Sequence, residues 1–226
     1  MKLKEIQAKV SRKAISFQVG GFKPDNNPYS SWIGKVLVAE KGASWPQHGG
    51  KNMVPVCQLS LTNLPYKPAI VSEIAFITCF IAADNLENPE VNIEDFLILT
   101  YNSIDNLHPI RMPEEKFSIK AFQLKDNLIE NDYPCYDDCN IDLPEKYTDV
   151  YEDYFPNVNG IKIGGWPTLI QGEINWSQSN NNEIEFAFQI DSVAKAGLQW
   201  GDGGILHIGR SKNNRDKEWY INWQTL

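Results

Sequence analysis

Two carboxylates near the C-terminus, Asp191 and Asp202, stand on either side of Trp200, and Gly201 and Gly203 flank the second of them. Paired carboxylates can act as general acid and base or hold a hard cation. With Gln171, Gln189 and Trp200 they form a candidate wall for a small ligand. The competing reading is local. Asp-Gly and Gly-Asp-Gly stretches form turns, and a Gln inside an apolar strand ties a neighbouring turn to the sheet through its amide.

No other catalytic pattern accompanies them. His207 alternates with Leu206 and Ile208 and reads as a packed or rim residue; His48 lies beside Gly49-Gly50 and His108 precedes Pro109. None has a nearby Ser or Cys in a nucleophile setting. Gly201-Asp202-Gly203-Gly204 lacks the lysine and following helix of a phosphate cradle. Cys57 and Cys79 fall in apolar runs, where thiols pack as small hydrophobes. Cys135 and Cys139, in a polar loop, can be free, bridged or metal-bound. Three scattered histidines supply no obvious companions for zinc, so the expected catalytic, cofactor and metal sets are empty.

A second kind of chemistry is electrostatic. Between Asp126 and Phe155 there are ten acids and a single base, Lys146, while the whole chain carries a net −8. Tyr133, Tyr136, Tyr147, Tyr151, Tyr154 and Phe155 are interleaved with these acids. A solvated helix face and polar loop would account for the pattern. A docking face would also, since tyrosines give rigid contact area and a field of one sign steers a basic partner. The candidate partner-binding residues are Asp132, Tyr133, Tyr136, Asp137, Asp138, Asp142 and Asp149. Nothing resembles the basic stripe of a nucleic-acid binder.

The elements that must position these groups follow from periodicity. Leu3, Ile6 and Val10 recur at helical spacing. Strands are predicted over 14–19, 35–39, 54–61, 74–82, 96–101, 117–122 and 219–224, with 22–52 a loop-rich insertion and 103–143 otherwise irregular. Asp142 and Pro144 open a predicted helix that carries Tyr147, Val150, Tyr151 and Tyr154 on one face. An offset of 131 lays Val56-Cys57-Gln58-Leu59-Ser60 on Ala187-Phe188-Gln189-Ile190-Asp191, and Ile74-Ala75-Phe76-Ile77 on Ile205-Leu206-His207-Ile208. The chain therefore reads as a β-rich half at 1–102, an acidic connecting segment at 103–156 and a second β-rich half at 157–226, together one compact domain. No apolar run approaches the ~20 residues of a membrane span and no signal peptide is visible, which predicts a cytoplasmic protein.

Tyr151-Glu152-Asp153-Tyr154-Phe155, Ile163-Gly164-Gly165-Trp166-Pro167, Gln171, Phe188-Gln189-Ile190-Asp191, Trp200-Gly201-Asp202-Gly203-Gly204 and Trp219-Tyr220-Ile221-Asn222-Trp223 resemble, in order and spacing, the YwqG-like family, a mostly bacterial family of unknown biochemical function. The N-terminal motifs Gly20-Gly21, Ser44-Trp45-Pro46 and Gln58 match less closely. Two residues separate Gly21 from Pro24 where the family usually has one, and no glycine precedes Ile74-Ala75-Phe76-Ile77. The resemblance implies an α+β fold of two similar β-rich subdomains with mainly antiparallel sheets and a few short helices. From the charge map we expect a non-enzymatic, immunity or antitoxin type of protein that masks a basic partner, because nuclease toxins carry basic substrate clefts. The alternative is a small-ligand binder or hydrolase that uses a crevice between the two halves.

Overall fold

The computed structural model describes residues 3–84, 93–138, 143–176, 184–212 and 219–226. Helix α1 (Leu3–Val10) precedes β1 (Arg12–Val19), β2 (Trp32–Ile33), β3 (Val38–Glu40), β4 (Gln47–His48), β5 (Lys51–Asn52), β6 (Val54–Ser60), β7 (Phe76–Ile81), β8 (Phe96–Tyr101), β9 (Leu107–Pro109) and β10 (Phe122–Asp132). Helix α2 (Tyr151–Tyr154), β11 (Ile161–Gly164), β12 (Ile184–Asp191), β13 (Ile205–Ser211) and β14 (Trp219–Gln224) complete the chain.

Ten strands form one antiparallel sheet in the order β14-β13-β12-β11-β1-β10-β2-β6-β7-β8. With 39% strand and 13% helix, and with the sheet curled into a nearly closed barrel, the protein is mostly β and not the expected α+β fold. The two halves also share one sheet and one core. Outward from the central β1–β10 pair, the order runs β11 to β14 on one side and β2, β6, β7, β8 on the other. With β10 counted as the first strand of the second half, each half lends its first strand to the other: β1 pairs with β11, and β10 with β2. Inward side chains from both halves, among them Ile15, Ile33, Leu59, Ile77, Ile163, Phe188 and Ile208, form a single cluster. At the sheet edges, Phe96 on β8 lies 6.0 Å from the Trp200 ring, which meets Trp223 on β14 at 5.1 Å.

The expected strand over 117–122 is absent. The strand begins at Phe122 and runs through the first acids of the supposed connecting segment to Asp132. The predicted helix after Asp142 is a 3₁₀ turn at Glu145–Tyr147 followed by the one-turn α2. Tyr151 on α2 and Phe155 just after it pack with Ile6 and Val10 of α1 in a small core of their own. Of the expected 35–39 strand only β3 forms, paired with β9.

Candidate functional site

The outer face of β11 to β14 carries a row of polar residues in register: Lys162 faces Gln189, Gln189 faces His207, and His207 faces Asn222. In a two-faced sheet such a row would normally meet water. Here Lys162, Gln189 and His207 are buried and Asn222 is half-buried, because the strandless segment 165–176 lies across the row and its backbone groups need partners. The sheet side chains supply them. Asp132 Oδ2 accepts from Trp166 N at 2.8 Å, Gln189 Oε1 from Thr168 N at 2.9 Å, and Gln224 Oε1 from Ile170 N at 2.8 Å. Gln224 Nε2 donates to Gly172 O and Asn222 Nδ2 to Asn175 O. His207 Nε2 lies 2.8 Å from Thr168 O, a carbonyl that can only accept, so that nitrogen carries a hydrogen. Burial pushes the His207 pKa down to about 4.

The strap starts at Gly164-Gly165, both at φ +70°, and a Cβ on Gly165 would collide with Asp132 Oδ2. Only glycine lets the chain turn so closely over that carboxylate. Asp132 and Lys162 are both fully buried and form an ion pair at 3.0 Å, and Asp132 also accepts from Val158 N. Burial lowers the Lys162 pKa, and Asp132 partly offsets this.

Gln58 repeats the role of Gln189 in the first half. Its Oε1 accepts from Leu37 N at 2.6 Å and its Nε2 donates to Ser30 O at 2.6 Å, while Gln189 Nε2 donates to Gly160 O at 3.1 Å. Both amides pin an irregular segment to the sheet. Gln189→Leu strands Thr168 N and Gly160 O, and is expected to cost roughly 2 kcal/mol of unfolding free energy, measured by urea denaturation.

The five crevice candidates are not gathered into one site. Trp200 is fully buried in the barrel core and Gln189 is buried on the opposite face beneath the strap. Asp191 accepts from Gly160 N and from Gln189 Nε2, and burial raises its pKa to about 6. Asp202 sits in an exposed turn where its backbone bonds Thr225, and Gln171 is exposed on the strap. Among the described residues no group of three His, Cys, Asp or Glu comes together to hold a metal. Cys57, Cys79 and Cys135 are free thiols; Cys139 lies outside the described residues. No helix is long and apolar enough to cross a membrane among those residues.

The acidic candidates divide. Asp132 does not belong to a surface: it is enclosed as the counter-ion of Lys162, a partner that linear spacing could not reveal. Glu130 pairs with Lys13 at 2.9 Å. Asp142 lies outside the described residues, and the Asp137 side chain is likewise not described. Tyr133 is half-buried against Phe155, with ring centroids 5.6 Å apart. The outward group is Tyr136, Val150 and Tyr154, exposed by 52%, 40% and 38%, together with exposed Glu145, Asp149, Glu152 and Asp153. None of those four acids joins an ion pair among the described residues. Tyr147 stacks edge-on against Tyr154 at 5.3 Å, and Tyr136 against Tyr151 at 5.4 Å. Val150, Tyr154, Glu145, Glu152 and Asp153 belong to this face although they are not among the candidate partner-binding residues.

No curated protein matches the chain. Residues 33–214, which span all the strands from β3 to β13, match the model of a domain of unknown function, DUF1963, and the chain belongs to that family.

Proposed function

We propose that this protein is a non-enzymatic binding module, YwqG-like within its family, whose acidic, tyrosine-bearing face masks a basic protein in the manner of a cytoplasmic immunity protein or antitoxin. The observation that carries the reading is the clustering of exposed bulk with unpaired charge. Of the four large hydrophobic side chains that are exposed among the described residues, Tyr136, Val150 and Tyr154 fall within the same short acidic stretch. Tyrosines held by edge-on ring contacts lose little freedom on docking, and surrounding carboxylates accelerate encounter with a positive surface. The packing of Tyr151 and Phe155 on α1 supports the face from behind.

With a partner isolated from the source cells, the quadruple variant E145Q/D149N/E152Q/D153N should lower the association rate about tenfold at low salt, with the difference shrinking as salt rises. Tyr154→Ala should act on the dissociation rate instead. Stopped-flow or surface-plasmon kinetics separate the two. An association rate that is the same in the quadruple variant at all salt concentrations would remove the electrostatic half of the proposal.

A further inference from the structure

The approximate two-fold order of the sheet makes corresponding places in the two halves comparable, and one pair is filled very differently. On the second half's outer face, Gln189 is followed across the strands by His207 and Asn222. On the first half's outer face, Gln58 is followed by Thr78 and Leu99. The pairing of Gln58 with Thr78 replaces the correspondence of Phe76 with His207 drawn from the offset of 131, because strand register and not linear offset sets which residues face each other. The His207 imidazole reaches the overlying strap and bonds Thr168 O. The shorter Thr78 does not reach its cover. What remains between the β7–β8 face and residues 38–46 is a cavity of about 290 Å³, walled by Val38, Pro46, Phe80, Leu99 and Ile110.

The cavity is not a plain apolar void. Thr78 is 1% exposed and lines it, and its hydroxyl has no hydrogen-bond partner. A buried hydroxyl left unpaired is costly, and such groups in folded proteins call for an explanation. The Tyr101 hydroxyl stands beside it on the same wall, near enough that Thr78 offsets part of the rise in the Tyr101 pKa that burial causes, yet too far or too poorly aligned for an ordinary hydrogen bond. At the mouth are the exposed residues Glu40, Ala43 and Ser44, so the space is reached from solvent. Its volume is about twice the roughly 150 Å³ that holds benzene in a dry engineered cavity.

We infer that this cavity is a binding site for a small, flat, largely apolar molecule bearing one hydroxyl, which packs between Phe80, Leu99 and Ile110 and pairs its hydroxyl with Thr78 and Tyr101. The site is separate from the acidic face and does not depend on it. A neutral hydroxyl can both donate and accept, which matches two protein hydroxyls that can each do either. A charged group would be desolvated among apolar walls.

The test uses 2-naphthol as probe and naphthalene as its hydroxyl-free control, with binding to the full chain followed by saturation-transfer NMR and by the shift in melting temperature. 2-Naphthol is expected to bind saturably in the micromolar to millimolar range, and Thr78→Val, which keeps the shape and removes the hydroxyl, to weaken it roughly tenfold while leaving naphthalene unchanged. Ala43→Trp, at an exposed mouth position where folding is not at stake, should block both. Absence of saturable 2-naphthol binding to the unaltered protein would overturn the inference. So would equal affinity for the Thr78→Val protein, or full binding to the Ala43→Trp protein.

Discussion

Asp132→Ala is expected to be among the most damaging single changes in the molecule, lowering unfolding free energy by about 3–5 kcal/mol. It strands the fully buried Lys162 ammonium together with the backbone N–H groups of Val158 and Trp166. In a chain of this size the loss corresponds to a fall of roughly 10 °C in Tm, measurable by calorimetry. Lys162→Met should cost less. It removes the cation, and Asp132 keeps both backbone donors. The order of the two variants matters more than either value, because a docking role for Asp132 predicts no loss of stability at all. A stable Asp132→Ala protein with weakened partner binding would return that residue to the surface set.

The second large effect concerns pH. The Asp191 pKa is raised from 3.8 to about 6 and that of His207 is lowered from 6.5 to about 4, in both cases chiefly by burial. The folded state holds the Asp191 proton more tightly than the unfolded chain does. Its contribution is therefore fully present below about pH 4 and is lost as pH rises through about 6. His207 has the opposite sign. The unfolded chain takes up its proton first, so stability is present above pH 6.5 and lost as pH falls through about 4. Each shift is worth on the order of 3 kcal/mol, and across pH 4 to 6 they oppose one another. The unaltered protein should show a shallow dependence there. Asp191→Asn should expose the His207 slope, with stability rising as pH rises; His207→Gln should expose the Asp191 slope, with stability falling. Urea midpoints at a series of pH values check this, and slopes of the same sign in the two variants would rule it out.

The strands with apolar runs were legible before any coordinates. The stretch 96–101 coincides with β8, and 54–61 and 74–82 differ from β6 and β7 only at their ends. β10 was not. Its outward residues Lys125, Asp126 and Glu130 are exposed, and its length of eleven residues mixes them with Leu124, Leu128 and Ile129. Only Phe122 and Gln123 of β10 pair with β2, so from Lys125 onward the strand is paired with β1 alone, its other edge is open, and its polar composition reads as a loop. The same blind spot misplaced Asp132, since the fact that decides its role is a lysine thirty residues away on another strand. Gln58 and Gln189 stood out because an amide among β-branched and aromatic neighbours must be satisfied. The cavity beside Thr78 was hidden, because the chain from Gln58 to its cross-strand partner Thr78 is two residues longer than the chain from Gln189 to His207, and a constant linear offset then sets the wrong residues against each other. The exposed tyrosines were partly foreseen from the charge map, but which of them point outward depends on how the short α2 leans against α1.

The docking reading meets its most direct test in hydrogen-exchange footprinting of the complex between this protein and a partner captured from its source cells, run in parallel on the unaltered chain, on E145Q/D149N/E152Q/D153N and on Asp191→Asn. The account predicts a partner with a basic surface and protection concentrated at residues 133–138 and 143–155, weakened in the quadruple variant and retained in Asp191→Asn. Protection centred on another face, with full binding by the quadruple variant, would contradict it.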